Sequence, residues 1–138
     1  MSRLRKLPFS RRADEFAQSA IALPVVVFIT LAFLNLTMAG FASVNANNAA
    51  NYGARVGSVT QSLPGHAAYS AAAQSISHAN IGDYSVSVSG GGFPGAQINV
   101  VVTWAVPNFL SGIAGLFGGG LDMDFTGTAT SVFRQEGW

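Results

Sequence analysis

The residue types that commonly carry out chemistry are few in this chain and poorly spaced for it. Asp122 and Asp124 could begin a calcium loop, but the further oxygen ligands, the central glycine and the closing glutamate of an EF-hand are missing. His66 and His78 fall near opposite ends of one predicted helix, which does not suit two ligands of one metal ion. We therefore predict exposed polar side chains at these positions and no metal site.

No pairing of a nucleophile with a base can be read from the sequence. Serines are frequent, but no Gly-x-Ser-x-Gly motif occurs, and neither histidine can be tied to a serine and an orienting acid. The glycines at 90–92 lack the strand, the Lys-Ser/Thr pair and the helix of a phosphate-binding loop, so they predict a turn. The chain has no cysteine, which excludes disulfides and thiolate metal sites. We expect a protein without catalytic activity or cofactor.

Two acidic residues, Asp14 and Glu15, stand immediately before Phe16 and a long apolar stretch. Ser10 or Ala13 can open a helix there, and the macrodipole at a helix N-terminus favours negative charge. The acidic pair is explained either by this simple electrostatic effect or by recognition, by a peptidase or by the N-terminus of a neighbouring subunit. The residues alone leave both interpretations open.

The stretch from Phe16 to Ala42 contains no charged residue and no histidine, and it predicts a membrane-spanning helix. About 20 mainly apolar residues suffice to cross the hydrocarbon core. Five of the seven Lys and Arg residues precede the stretch, which predicts a cytoplasmic N-terminus and a C-terminal part outside the cytoplasmic membrane. A removed signal peptide is the competing interpretation, but its apolar core would be too long. The same basic residues form a short cluster rather than a stripe on a folded face, so nucleic acid is not expected as a partner.

Several residues within the span indicate contact with other helices. Pro24 removes one helical hydrogen bond and predicts a kink. Asn35 and Thr37 are polar at membrane depth, where such groups are usually directed at another helix, and Gly40 permits close approach. We therefore expect Asn35→Leu to weaken helix association without preventing membrane insertion.

The helix is predicted to continue far beyond the membrane, because no proline occurs until Pro64. Helical spacing puts one set of residues on a common side: Phe41, Val44, Asn48, Asn51 and Arg55. The predicted regions are a basic cytoplasmic leader at 1–13, a long helix at 14–61 with its membrane segment at about 20–42, and an extracytoplasmic domain at 62–138.

The extracytoplasmic region predicts a small sheet with one short helix. The helix is expected at 66–78, and alternating residues predict strands at 84–89, 97–106 and 121–133, with a hairpin loop at 90–95. Residues 108–117 predict a short apolar helix or a loop. The fold class is therefore α+β, with a long N-terminal transmembrane helix followed by a short helix and a three-stranded antiparallel sheet.

Five stretches, taken in their order, match the pattern of a known family. They are Glu15-Phe16-Ala17, Ala22-Leu23-Pro24, the asparagine-rich residues 47–57, and the strand sequences 99–107 and 126–136. In this order the chain resembles the TadE-like family of minor, pseudopilin-type proteins of tight-adherence (Flp-type) pilus systems. The resemblance implies a pilin-like fold in a minor pilin or pilus-assembly protein, located in the cytoplasmic membrane or a surface pilus. Its implied partners are other pilin-like subunits, pilus-assembly membrane proteins and lipid.

The resemblance also implies a prepilin peptidase as a partner that would process the N-terminus. Family members usually carry a glutamate some six residues before the proline, whereas Gln18 has that place here and Glu15 lies one helical turn upstream. If Glu15 is the fifth residue of the processed form, cleavage falls after Ser10 and leaves Arg11 first. If Gln18 is the fifth residue, cleavage falls after Ala13 and Asp14 becomes the first residue. The leader can also be retained, in which case the protein stays in the membrane. The main alternative to the pilus role is a single-pass, membrane-anchored small binding or adhesion module that never enters a fibre.

Overall fold

The computed structural model describes residues 9–116, 118–119 and 123–136. The fold is α+β, with a long N-terminal apolar helix and a small domain, as the sequence predicts. The elements in chain order are α1 (Phe9–Val59), α2 (Pro64–Ile76), β1 (Asp83–Gly90), β2 (Gln97–Val106), α3 (Leu110–Leu116) and β3 (Phe125–Arg134).

Helix α1 has 51 residues, so it is about 75 Å long at 1.5 Å per residue. It begins at Phe9, earlier than the predicted start at Asp14, because residues 9–13 contain no glycine or proline that would break the helix. Residues 9–13, assigned to the leader, are thus its first turns, while residues 1–8 lie outside the described part of the chain. Pro24 lies inside the continuous helix.

Helix α2 packs against the second half of α1 through small residues. A Cβ atom on Gly53 would lie 2.7 Å from the carbonyl oxygen of Ala68, and one on Gly57 would lie 2.8 Å from the Cβ of Ala68. Gly53 also approaches Ala72, whereas Gly57 approaches Pro64, so the two helices run antiparallel. Their backbones can approach this closely because neither glycine has a side chain.

The sheet is an antiparallel meander with strand order β1-β2-β3. In its register Val102 of β2 lies between Val86 of β1 and Ala129 of β3. The predicted bounds of β2 are confirmed, and β1 is one residue longer at each end than predicted. Strand β3 begins at Phe125, later than predicted, and residues 120–122 lie outside the described ranges.

The second half of α1 forms part of the domain core. The buried cluster unites all three layers of the domain: Ala46, Ala49, Ala50 and Ala54 from α1, Ala68 and Ala72 from α2, and Ile98, Val100, Val102 and Ala129 from the sheet. The predicted boundary at residue 62 therefore falls between two secondary structure elements. The domain as it is packed also includes α1 from about Ala42 onward.

The domain has two ends along α1. At the distal end, the backbone N–H of Glu136 donates to the carbonyl of Ser58 at 2.8 Å, and the hairpin loop between β1 and β2 lies nearby. At the proximal end, the segment after β2 returns to the level of Asn35 on α1. The proximal end thus faces the free, apolar part of the helix.

Candidate interaction surface

The two sides of α1 differ sharply beside the domain. The side that meets the domain carries alanine and glycine, and Ala42, Ala46 and Ala49 are fully buried. The opposite side carries large apolar residues that the domain leaves largely uncovered. About half of each of these side chains is exposed: Phe41 55%, Val44 57%, Tyr52 52% and Val59 53%.

These residues continue a row of exposed apolar residues that begins in the free part of the helix. Leu34 precedes Phe41 by seven positions, and helical spacing places it on the same side. We call Leu34, Phe41, Val44, Tyr52 and Val59 the outer stripe of α1. The predicted packing residues Asn48 and Arg55 lie along this stripe and are exposed.

Asn51, which the sequence predicts in the same row, lies at the border between the outer stripe and the sheet. Its side-chain oxygen accepts a hydrogen bond of 2.7 Å from the hydroxyl of Ser131, which is buried. Asn51 itself is exposed. This residue therefore attaches α1 to β3, while its neighbours in the row stay uncovered.

Before the domain begins, α1 stands free. Every side chain from Asp14 to Thr30 is exposed, and α1 is long and apolar enough to cross a membrane. The hydroxyls in this part are satisfied within the helix, because Thr30 donates to Val26 O at 2.8 Å and Ser19 donates to Glu15 O at 3.0 Å. Such internal bonds let polar side chains lie in an apolar surrounding at low cost.

A shallow apolar notch of about 190 Å³ lies on the free helix, with Ala32 between larger residues. Its walls are formed by Phe28, Ile29, Phe33 and Leu36. A small residue flanked by large ones forms the kind of depression into which a side chain of another helix can insert.

Asn35 is only 1% exposed, and its partner lies in its own chain. Its side-chain N–H donates to the side-chain oxygen of Asn108 at 2.9 Å, and its oxygen accepts from the backbone N–H of Phe109 at 3.3 Å. The expected contact of Asn35 with a neighbouring subunit's helix is thus replaced by a contact with the segment after β2. Sequence reasoning missed this pairing because the residues are 73 positions apart.

The remaining predicted packing residues occupy different settings. The hydroxyl of Thr37 donates to Phe33 O at 2.8 Å, which satisfies it within α1. A Cβ atom on Gly40 would meet nothing within 4 Å, so this glycine faces open space on the helix surface. Gly40 therefore stays accessible for close approach by another helix.

The predicted recognition residues lie in the first turns of α1. Asp14, Glu15 and Phe16 are exposed, and Ser10, Arg11 and Ala13 precede them in the same helix. An approaching protein can reach the exposed residues without rearrangement of the domain. The two cleavage positions considered above are both helical in this structure.

The polar residues considered for chemistry do not come together. His66 and His78 are exposed, and the nearest polar side-chain contact of His78 is the hydroxyl of Ser77 at 3.1 Å. Asp124 is exposed before β3, and Asp122 lies outside the described residues. Within the described ranges, no three His, Asp or Glu side chains are grouped as metal ligands. A cleft of about 330 Å³ beside Phe41 contains His78 with Asn45, Ser75 and Asn80, but no carboxylate.

Comparisons of this chain with protein-family models, with curated proteins and with solved structures give no match. The interpretation of the outer stripe and of the Asn35 contact therefore depends on the residues themselves.

Proposed function

We propose that this protein is a non-catalytic, membrane-anchored subunit or assembly protein of a tight-adherence (Flp-type) pilus, as the family resemblance of its sequence implies. Its α1 helix crosses the cytoplasmic membrane once, with the N-terminus inside. The protein acts by packing this helix against the helices of other pilin-like subunits, in the membrane or in the fibre.

The outer stripe of α1 is the observation that carries this proposal. A helix needs about 20 residues to cross a bilayer, but the exposed apolar residues of α1 continue to Val59, beside the domain. An exposed apolar row in water is unfavourable and marks a surface that a partner covers. Because the row is straight and follows one helix, another helix is the partner that fits it best.

Two local features of α1 support helix packing further. The notch around Ala32 can receive a side chain from a second helix, and the open surface at Gly40 lets two backbones approach. Both lie in the part of α1 that the domain leaves uncovered. The proposed packing surface therefore extends from the membrane segment to the domain.

Cysteine crosslinking in native membranes tests the proposal, because the natural chain has no cysteine. Val44→Cys and Val59→Cys place single thiols on the outer stripe, and Ser87→Cys places a control thiol on the exposed outer face of the sheet. We expect crosslinked species with pilin-like subunits from the stripe positions and few from Ser87→Cys. Equal yields at all three positions would contradict a specific helix interface.

Mass spectrometry of membranes and of sheared surface fibres tests the role in the pilus. A new N-terminus at Arg11 or Asp14 in the fibre fraction supports a processed pilin subunit. An intact leader found only in membranes supports a retained assembly component. Absence from the fibres together with a lack of crosslinks to pilin-like subunits would contradict the proposal.

A second candidate is a membrane-anchored binding or adhesion module that does not enter a fibre. The outer face of the sheet favours it, because this face is uncovered and rich in hydroxyls, with Ser85, Thr103 and Thr128 in one row across the three strands. In that case Thr103→Lys would abolish attachment to a surface while crosslinking through Val44→Cys stays unchanged. The pilus role predicts that attachment is unchanged in Thr103→Lys and depends instead on the outer stripe of α1.

A further inference from the structure

The depth of Asn35 along α1 relates the domain to the bilayer. Nineteen helical steps separate Phe16 from Asn35, a rise of about 29 Å, which is close to the 30 Å thickness of a hydrocarbon core. Asp14 and Glu15 lie just before Phe16 and favour the cytoplasmic headgroups. If the helix crosses the membrane as proposed above and its span begins at Phe16, rather than at about residue 20 as the sequence predicts, Asn35 lies at the outer boundary of the hydrocarbon layer.

The segment after β2 is attached to α1 at this level. Asn108 binds Asn35, accepts from the backbone N–H of Leu110 at 3.0 Å, and donates to Met123 O at 3.2 Å. Asn108 thereby holds Leu110, at the start of α3, and Met123, just before β3, together beside α1. Since Asn108 occupies its polar groups within the protein, this junction can lie next to lipid without leaving them unsatisfied.

The residues around this junction are apolar and uncovered. Met123 is 83% exposed, and Phe109 and Phe125 are also exposed. No charged residue occurs from Pro107 to Gly119. Two exposed acidic side chains bound this end in the described ranges, Asp124 before β3 and Asp83 at the start of β1, opposite Ala105, and they mark the side turned to water.

We propose that the proximal end of the domain lies in the interfacial layer of the outer leaflet, with Phe109, Met123 and helix α3 in contact with lipid. This inference rests on the proposed membrane anchoring. The domain then contacts the bilayer directly and is not held away from it by α1. The Asn35–Asn108 pair marks the boundary of the hydrocarbon layer. Aromatic and amphipathic residues are favoured in such a layer.

Fluorophore labels on single cysteines test this placement in the full-length protein. Met123→Cys and Phe109→Cys report on the proximal end, Phe28→Cys reports on the free part of α1, and Phe93→Cys is a matched control at the distal end, where the phenylalanine is also exposed. The labelled proteins are reconstituted in phosphatidylcholine–phosphatidylglycerol vesicles that contain lipids with nitroxides either just below the headgroup, for positions 109, 123 and 93, or near the end of the acyl chain, for position 28, which lies about 10 Å below Asn35. Each label's loss of fluorescence is measured at two protein-to-lipid ratios.

We expect most of the fluorescence to be lost at positions 123 and 109, little at position 93, and the same losses at both ratios. If position 28 is quenched while 123 and 109 behave like 93, the domain stands clear of lipid and the inference is wrong, although the anchoring is correct. If position 28 is not quenched either, α1 does not span the bilayer and the anchoring fails too. If the proximal labels are quenched only after dilution into excess lipid, another copy of the protein covers this end, which also overturns the inference.

Discussion

The side-chain amides of Asn35 and Asn108 are joined by a hydrogen bond of 2.9 Å that connects the apolar helix to the segment after β2, at the proximal end of the domain. The backbone N–H of Phe109 donates to the same Asn35 side chain, so two bonds hold this junction. Because Asn35 is only 1% exposed, water has little access to its side chain in these bonds. The contact attaches the proximal end of the domain to α1.

The first prediction concerns this junction. Asn35→Leu should destabilise the domain by about 1–3 kcal/mol, because the N–H of Phe109 loses its acceptor and Asn108 loses one bond. Faster hydrogen exchange at the amide of Phe109 in detergent micelles is the expected sign, together with a lower unfolding midpoint.

Asn108→Leu and the double variant complete a thermodynamic cycle for the pair. The double variant should lose less stability than the sum of the two single variants, since the coupling between the two amides is lost only once. Strictly additive losses would show that Asn35 and Asn108 do not interact. Thr37→Val is the matched control, because its hydroxyl bonds only within α1 and lies one half-turn from Asn35.

Local patterns predicted the elements of the sheet well. The alternation of Ile98, Val100 and Val102 with exposed or partly exposed neighbours gives β2 its bounds, and the glycines at 90–92 place the turn. The alternation is sufficient because a strand with one buried face allows only one register without burying polar residues. The α+β fold follows from these elements and the long apolar helix.

The location of Asn35 could not be predicted in this way. Its partner belongs to a distant part of the sequence, and membrane depth made an intermolecular contact the simplest expectation. One signal was available, since Asn108 follows Pro107 and precedes an apolar helical run, a typical arrangement for a residue that caps a helix. That signal predicts α3, but it does not indicate which residue of α1 the cap would bind.

The second prediction separates two glycines on opposite sides of α1. Gly53→Ala should destabilise the domain by about 1–3 kcal/mol, because the new Cβ would lie 2.7 Å from Ala68 O and 2.8 Å from Ala72 Cβ and would push α2 away from α1. Thermal unfolding followed by circular dichroism in micelles measures the loss.

Gly40→Ala is the matched control, because its Cβ would meet nothing within 4 Å. In an isolated subunit this change should leave the domain intact and raise helix stability by up to about 1 kcal/mol. The bulkier substitution Gly40→Leu should reduce crosslinking through Val44→Cys if another helix approaches Gly40. A domain that is destabilised as much by Gly40→Ala as by Gly53→Ala would contradict this assignment.

The third prediction concerns Gln135, which is buried at the distal end. Its side-chain oxygen accepts from the N–H of Gly92 at 3.0 Å, and its side-chain nitrogen donates to Thr60 O at 3.4 Å. Gln135→Leu should cost about 1–3 kcal/mol, because the partners in the hairpin loop and at the end of α1 are left unsatisfied. Denaturant unfolding and proteolysis of the hairpin loop should both reveal the loss.

Glu136→Gln is the control for Gln135→Leu. Glu136 is exposed, and its attachment to Ser58 uses the backbone N–H, which the substitution keeps. The unfolding midpoint of Glu136→Gln should equal that of the unmodified chain. If Gln135→Leu is equally harmless, the side chain does not hold the distal end and the backbone bonds of this residue suffice.

The fourth prediction uses the contact between Trp104 and Gly127, which are opposite each other on β2 and β3. A Cβ on Gly127 would lie 2.8 Å from the indole nitrogen of Trp104, so the ring covers the glycine and has no room for a methyl group. Gly127→Ala should therefore displace the ring from the core edge and destabilise the sheet by about 1–3 kcal/mol. In a Trp138→Phe background, the emission of Trp104 should shift to longer wavelength as the ring becomes more hydrated.

Thr128→Ala, one residue along on the exposed face, should change neither the emission nor the midpoint. An unchanged spectrum in Gly127→Ala would mean that the indole does not lie over Gly127, since a methyl group cannot occupy the same space as the ring.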